Sequence, residues 1–240
     1  NVICDYFSAD KYKNIVNILP RKHEYKKFSA IIAQNVFAHN ENAKTFLDDC
    51  EKLMHDDSKL YIQTSQSDMV RNNQFDTIYH EHISFFNINS FNELVKRTNL
   101  HLIDVIKTPV HGVSYLFVLS KKRKNVHRVQ NLIDVEKEIG LLSIETYEKY
   151  RNNILEIVDL FKLLIDDSRR EGYKIVGYGA AAKGMTLLNF AEVDLDVIID
   201  DNPLKQSLLT PGRNTRIDSI DALKQYTDSD KILFVPLAWN

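Results

Sequence analysis

The stretch YKIVGYGAAAKGMTLLNFAEVDLDVIIDD, Tyr173 to Asp201, restricts the fold more than any other. A short apolar run, Lys174 to Val176, reads as a buried strand. A turn containing Gly177 and Gly179 follows, then a helical pattern from about Ala182 to Ala191, then a second apolar run ending in Asp200 and Asp201. Strand, glycine turn, helix and strand make a mononucleotide-binding half-fold, which needs parallel strands joined by a crossover helix. Downstream, Asp218 to Gln225 predicts a helix and KILFVPLAW a last strand.

The first half alternates in the same way. Phe28 to His39 reads as a buried parallel strand, and Ala43 to Met54 as a helix with Phe46, Leu47, Cys50 and Leu53 on one face. Lys59 to Thr64 predicts another strand. Phe91 to Thr98 predicts a helix, with Ser90 as its cap and Glu93 completing a capping box. Leu100 to Thr108 and Ser114 to Lys121 predict two strands, and Pro109 and Gly112 between them suit an antiparallel hairpin. Val129 to Arg170 is helical throughout, with a stripe of Ile154, Leu155, Val158, Phe161 and Ile165 and a stop at Gly172. The fold class is therefore α/β: one layered unit, a helical connector and a second, smaller Rossmann-like unit.

Composition removes several functions. Basic residues number 31 and acidic residues 33, so no basic excess exists to neutralise nucleic-acid phosphates. The short basic run KKRKNV, Lys121 to Val126, reads as a solvated linker. No apolar run approaches the length of a membrane span, about 18 residues. Cys4 and Cys50 supply neither a disulfide framework nor a zinc site and read as small core residues, which suits a cytoplasmic protein. The chain opens on Asn1 and ends within an apolar run, so it reads as an excerpt cut at both ends.

Three segments carry chemistry. In FDTIYHEHISFF, Tyr79, His80, Glu81 and His82 gather a phenol, two imidazoles and a carboxylate. In extended backbone His80 and His82 share one face. The set suits a general base with a tautomer-holding acid and an oxyanion donor, or part of a metal site, or a polar turn bonded to itself. In GYGAAAKG, Gly177 to Gly184, the turn and Lys183 suit a phosphate, although Ala182 stands where a dinucleotide fingerprint has its third glycine. A nicotinamide cofactor and a packing turn remain open there. In AQNVFAHN, Asn35 and His39 follow a strand, where open α/β sheets bind ligands and where a helix cap is equally at home.

The ordered strings FDTIYHEHISFF, HGVS, GYGAAAKGMTLLN, VDLDVIIDDNPLKQ and LAWN resemble the sugar C-methyltransferases, which act on nucleotide-linked 4-keto-deoxysugars. Members of that family have a small cysteine-rich zinc domain, a class I methyltransferase domain that binds S-adenosylmethionine, and a C-terminal Rossmann-like domain that helps to anchor the sugar nucleotide. The resemblance implies a partial methyltransferase domain over 1–122, a helical connector over 123–172 and the C-terminal domain over 173–240, with the zinc domain absent and no metal site in this chain. It implies a methyl transfer from S-adenosylmethionine to a sugar carbon through an enolate. His82 would be the base, Tyr79 the donor to the sugar oxygen and Glu81 an orienting or assisting group, with His80 beside them. Asn35 and His39 would line the cofactor. Gly177, Tyr178, Gly179, Lys183, Gly184 and His111 would meet the sugar nucleotide. Without the upstream glycine turn, this stretch alone is expected to bind S-adenosylmethionine weakly or not at all and to be inactive. The alternatives are a nicotinamide-dependent oxidoreductase and a non-catalytic sugar-nucleotide-binding protein. Two segments depart from the family: HGVS stands where it has HGGS followed by Arg, and Gln63 and Thr64 stand where a strand often ends in Glu and Pro.

Overall fold

A computed structural model of the chain describes residues 4–18, 27–65, 67–109 and 114–238. His111 and the rest of the HGV sequence before Ser114 lie outside the described residues. The chain forms two compact units: residues 1–69 with 81–146, and residues 70–80 with 147–240.

The first unit holds α1 (Ala9–Ile18), β1 (Phe28–Gln34), α2 (Ala43–Lys52), β2 (Met54–Ser65), α3 (Ile88–Val95), β3 (His101–Thr108), β4 (Ser114–Ser120) and α4 (Val126–Glu138). The sheet order is β1-β2-β4-β3. β1 and β2 are parallel, and β4 runs antiparallel to both β2 and β3. Leu60 and Ile62 alternate onto the core face, where they join Phe37, Leu47, Met54, Phe91 and Phe117. The Phe91 ring stacks on Phe117 with centroids 3.8 Å apart. The first strand is shorter than its apolar pattern: it ends at Gln34, and Phe37–His39 coils into a 3-10 turn.

α3 starts earlier than expected, and its cap is Asn87 rather than Ser90. The Asn87 side chain accepts the Ser90 N–H at 2.6 Å, while the Ser90 hydroxyl accepts the Asn87 N–H at 3.1 Å. Glu136, from α4, reaches the same helix start. Only 2% exposed, it accepts the Ile88 N–H at 2.7 Å and the Asn89 N–H at 3.0 Å. A buried carboxylate is stable there because a helix start presents unpaired N–H groups and a positive dipole end.

The helical connector is two helices. α4 ends in a Schellman motif: Gly140 at φ +81° donates to the Lys137 carbonyl, and Leu141 donates to that of Glu136. α5 (Ile144–Arg170) then begins. The units therefore divide elsewhere than at 122 and 172. α4 packs with the first sheet, while Ile154, Val158 and Ile165 of α5 belong to the second core.

The second unit continues with β5 (Tyr173–Tyr178), α6 (Ala182–Ala191), β6 (Val197–Ile199), β7 (Ile217–Asp218) and β8 (Lys231–Pro236). All its strands are parallel, in the order β7-β6-β5-β8, which is Rossmann-like. Asp218–Gln225 does not form an α-helix; Ser219 caps a 3-10 turn over Ile220–Gln225 instead. Cys4 is exposed rather than core, whereas Cys50 is buried and its thiol is pushed up to about 12 by that burial.

Candidate functional site

At the carboxyl end of β1 the chain turns through Asn35, a left-handed residue at φ +52° whose N–H donates to the Gln63 carbonyl of β2. Asparagine tolerates this conformation better than most side chains. The 3-10 turn that follows leaves the Ala38 carbonyl free to accept from Ile83 N–H at 2.9 Å and Ser84 N–H at 3.3 Å. Those two bonds hold the segment carrying His82 against the strand end. The His82 ring meets His39 edge-on at 5.0 Å and Phe85 at 5.9 Å. Asn35, His39 and His82 are thus gathered at one strand end, on the side of the sheet where open α/β folds have their ligand crevices.

The four-residue motif is not extended. It turns at His80 and Glu81, so the two imidazoles do not share a strand face. Tyr79 and His80 belong to the second unit, whereas Glu81 and His82 belong to the first. His82 and Tyr79 are half-buried, while His80 and Glu81 are exposed.

Within the second unit, Tyr79 and His80 line a cavity of about 860 Å³ with Phe75, Tyr150, Met185 and Phe190. Phe75 and Phe190 have ring centroids 5.6 Å apart. The Tyr150 phenol donates to the Gln74 carbonyl at 2.8 Å, and burial pushes it up to about 12. Sequence patterns do not show this cavity, because its walls come from the 70–80 segment, α5 and α6.

The glycine turn after β5 is closed by its own acid. Gly179 sits at φ +86° and donates to the Ile199 carbonyl at 2.7 Å. Asp200, 8% exposed, accepts the Ala180 N–H at 2.7 Å and the Asn202 N–H at 2.9 Å. Lys205 bridges the Asp200 carboxylate and the Ala180 carbonyl at 3.1 and 3.0 Å. Burial pushes the Asp200 carboxyl up, but the Asn202 N–H, Lys205 and the Ala180 N–H outweigh it and hold it below the usual range. Tyr178 donates to Asp201 at 2.7 Å, which raises its phenol. Lys183 is 18% exposed and pairs with Asp76 at 3.4 Å.

Gly177 and Gly184 answer to packing. A Cβ on Gly184 would lie 2.6 Å from Leu237 Cβ, and one on Gly177 would lie 2.9 Å from Ile198, Leu195 and Leu237. Among the described residues no group of three or more His, Cys, Asp or Glu could hold a metal, and no helix is long and apolar enough to cross a membrane.

The first sheet carries imidazoles at a strand end, and the second unit is Rossmann-like, an arrangement that many activities use. Residues 2–105 match a methyltransferase domain. Residues 109–240, more than half of the chain, match the C-methyltransferase C-terminal domain family, and the chain belongs to that family. The C-methyltransferase NovU of Streptomyces niveus is 26% identical over 218 residues, 88% of this chain and 51% of NovU, so the chain spans about half of that relative's length. A 1,6-didemethyltoxoflavin-N1-methyltransferase of Burkholderia thailandensis, solved with S-adenosylhomocysteine, covers 47% of this chain and 57% of its own, at 15% identity and a TM-score of 0.32. The mitomycin 7-O-methyltransferase MmcR covers 47% and 39%, at 10% identity and a TM-score of 0.33. Both likenesses are too distant to argue from.

Proposed function

We propose that the protein carrying this chain transfers a methyl group from S-adenosylmethionine to a carbon of a nucleotide-linked 4-keto-deoxysugar in the cytoplasm. Family membership and the likeness to NovU support a C-methyltransferase. The observation that carries the reading is the His82–His39 pair, pinned to the end of β1 through the Ala38 carbonyl.

S-adenosylmethionine, when bound, supplies an electrophilic methyl group. The residues present fit a polar ligand of that kind: Asn35 and His39 are exposed at the strand end, and the buried Thr64 hydroxyl at the end of β2 has no partner. His82 takes the proton from the carbon beside the sugar ketone, and the electron pair of that C–H bond moves onto the carbonyl oxygen as an enolate. An imidazole suits this step because it titrates near neutrality. Tyr79 donates to a sugar oxygen, Glu81 orients or assists, and the turn from Gly177 to Gly184 with Tyr178 and Lys183 meets the sugar nucleotide. His111 keeps the role that the resemblance implies. The nicotinamide reading has nothing to favour it, because Asp200, the acid that would hold a ribose, is bonded to the turn itself.

The test uses the full-length gene product, a 4-keto sugar nucleotide in deuterated water and S-adenosylmethionine, with His82→Gln compared to the parent. Wash-in of deuterium beside the ketone and methyl transfer should both fall by about 10²–10⁴. A variant that exchanges as fast as the parent would remove His82 from the role of base.

A further inference from the structure

Among the described residues, three side-chain polar atoms are buried with no hydrogen-bond partner: Gln63 Nε2, Thr64 Oγ1 and Thr108 Oγ1. Native folds tolerate few such atoms, because an orphaned donor gives up its bonds to water and gains nothing. Two of the three share a face of the first sheet. Leu60 and Ile62 turn towards the core, so Gln63 turns to the opposite side. Register places Gln34, Gln63, Leu116 and Ile106 in one row across the four strands. Thr108 and its neighbour Ser114 lie two residues further along on that same face. Gln63 is 6% exposed and Ser114 is 1% exposed, while Gln34 and Ile106 of the same row are exposed, so the buried polar groups border a face that is open beside them.

The patch sits at the strand ends that build the site. Asn35, which starts the turn leading to His39, donates its N–H to the Gln63 carbonyl itself. Gln34, Gln63, Leu116, Ile106, Ser114 and Thr108 include no charged side chain. An amide and a hydroxyl without a cation suit a neutral oxygen and offer little to a diphosphate or a carboxylate.

We infer that Gln63 is a specificity-determining residue of the transferase, donating its amide to a hydroxyl or keto oxygen of the sugar ring, with the Thr108 hydroxyl as a second contact. This rests on the reading of function given above. A donor kept unpaired in the unliganded protein is satisfied only by the ligand. Such a site rejects sugars that lack the matching oxygen more strongly than an apolar pocket could.

The experiment takes the full-length gene product with Gln63→Leu and, separately, the shape-conserving Thr108→Val. Calorimetric titrations are run with the 4-keto sugar nucleotide and with S-adenosylhomocysteine, and melting is followed without ligand. Gln63→Leu should bind the sugar nucleotide about 10- to 100-fold more weakly and S-adenosylhomocysteine as the parent does. Its unliganded melting temperature should hold or rise, because an orphaned donor has gone. Thr108→Val should weaken the sugar nucleotide alone, by a smaller factor. Unchanged sugar-nucleotide affinity in Gln63→Leu, weakening confined to S-adenosylhomocysteine, or a fall in melting temperature that accompanies the loss of binding would each overturn the assignment. A parent that binds no sugar nucleotide overturns the reading of function and this inference with it; a parent that binds while Gln63→Leu binds equally well overturns the role of Gln63 alone.

Discussion

Replacing Asp200 by Asn keeps the shape of the side chain and removes its charge and one acceptor. In the parent the two carboxylate oxygens accept from Ala180 N–H and Asn202 N–H, and Lys205 completes the set. An Asn oxygen can accept from one of the two N–H groups, and its amide nitrogen then faces the other donor. Bonds to charged acceptors contribute about 1.5–3 kcal/mol each, and a buried donor left alone costs about 1–3 kcal/mol. Lys205 is 40% exposed, so its share is small. The sum is a loss of about 3 kcal/mol. With a urea dependence of about 2 kcal/mol per molar, the unfolding midpoint should fall by roughly 1.5 M.

The pH dependence gives a second handle on the same residue. The folded carboxyl titrates below its unfolded value, so its contribution is present above about pH 4 and is lost as pH falls through the folded value. The gap between parent and Asp200→Asn should therefore narrow below about pH 4. Urea unfolding followed by circular dichroism at pH 7 and pH 3, with amide exchange read at Ala180, checks both expectations. A midpoint within about 0.3 M of the parent at pH 7, or a gap that does not change with pH, would refute the reasoning.

Other expectations follow from the same geometry. Glu136→Leu leaves the Ile88 and Asn89 N–H groups unpaired at the start of α3, and thermal or urea unfolding should show a loss of about 3–5 kcal/mol. Gly184→Ala should destabilise the second unit by more than about 2 kcal/mol, because its Cβ meets Leu237. Gly172→Ala has open space around it and carries only the strain of φ +87°, about 1 kcal/mol, so equal effects at the two glycines would count against the packing account. Under native conditions a thiol reagent should label Cys4 and spare Cys50, whose thiol burial keeps protonated; mass spectrometry of the labelled peptides decides.

The strand, turn and helix from Tyr173 to Ala191 were legible because glycine, apolar runs and helical spacing all agree there. Elsewhere local rules competed with distant ones. Ser90 does take part in a capping box, but Asn87 begins it, and the carboxylate that helps to hold this helix start is Glu136, 48 residues away in sequence. Gly140 ends α4 inside a stretch whose apolar spacing is helical on both sides, so the pattern alone predicts one helix where there are two. Asn35 and His39 were legible as a strand end. Their meeting with His82 was not, because it depends on the Ala38 carbonyl receiving two N–H groups from a segment more than 40 residues on. Asp200 was marked as an acid beside a turn, and only three-dimensional structure shows it spending its oxygens on that turn.

The second unit is discontinuous in sequence, and this governs how the protein can be dissected. The chain passes between units at 69/70, 80/81 and 146/147. A fragment beginning at Tyr147 would contain every strand of the second sheet, yet Lys183 would lose Asp76 and Tyr150 would lose the Gln74 carbonyl. Recombination at that joint would deliver an incomplete module with Phe190 stripped of Phe75. Expression trials and domain exchanges that aim for an intact second unit must carry the eleven-residue insert with it.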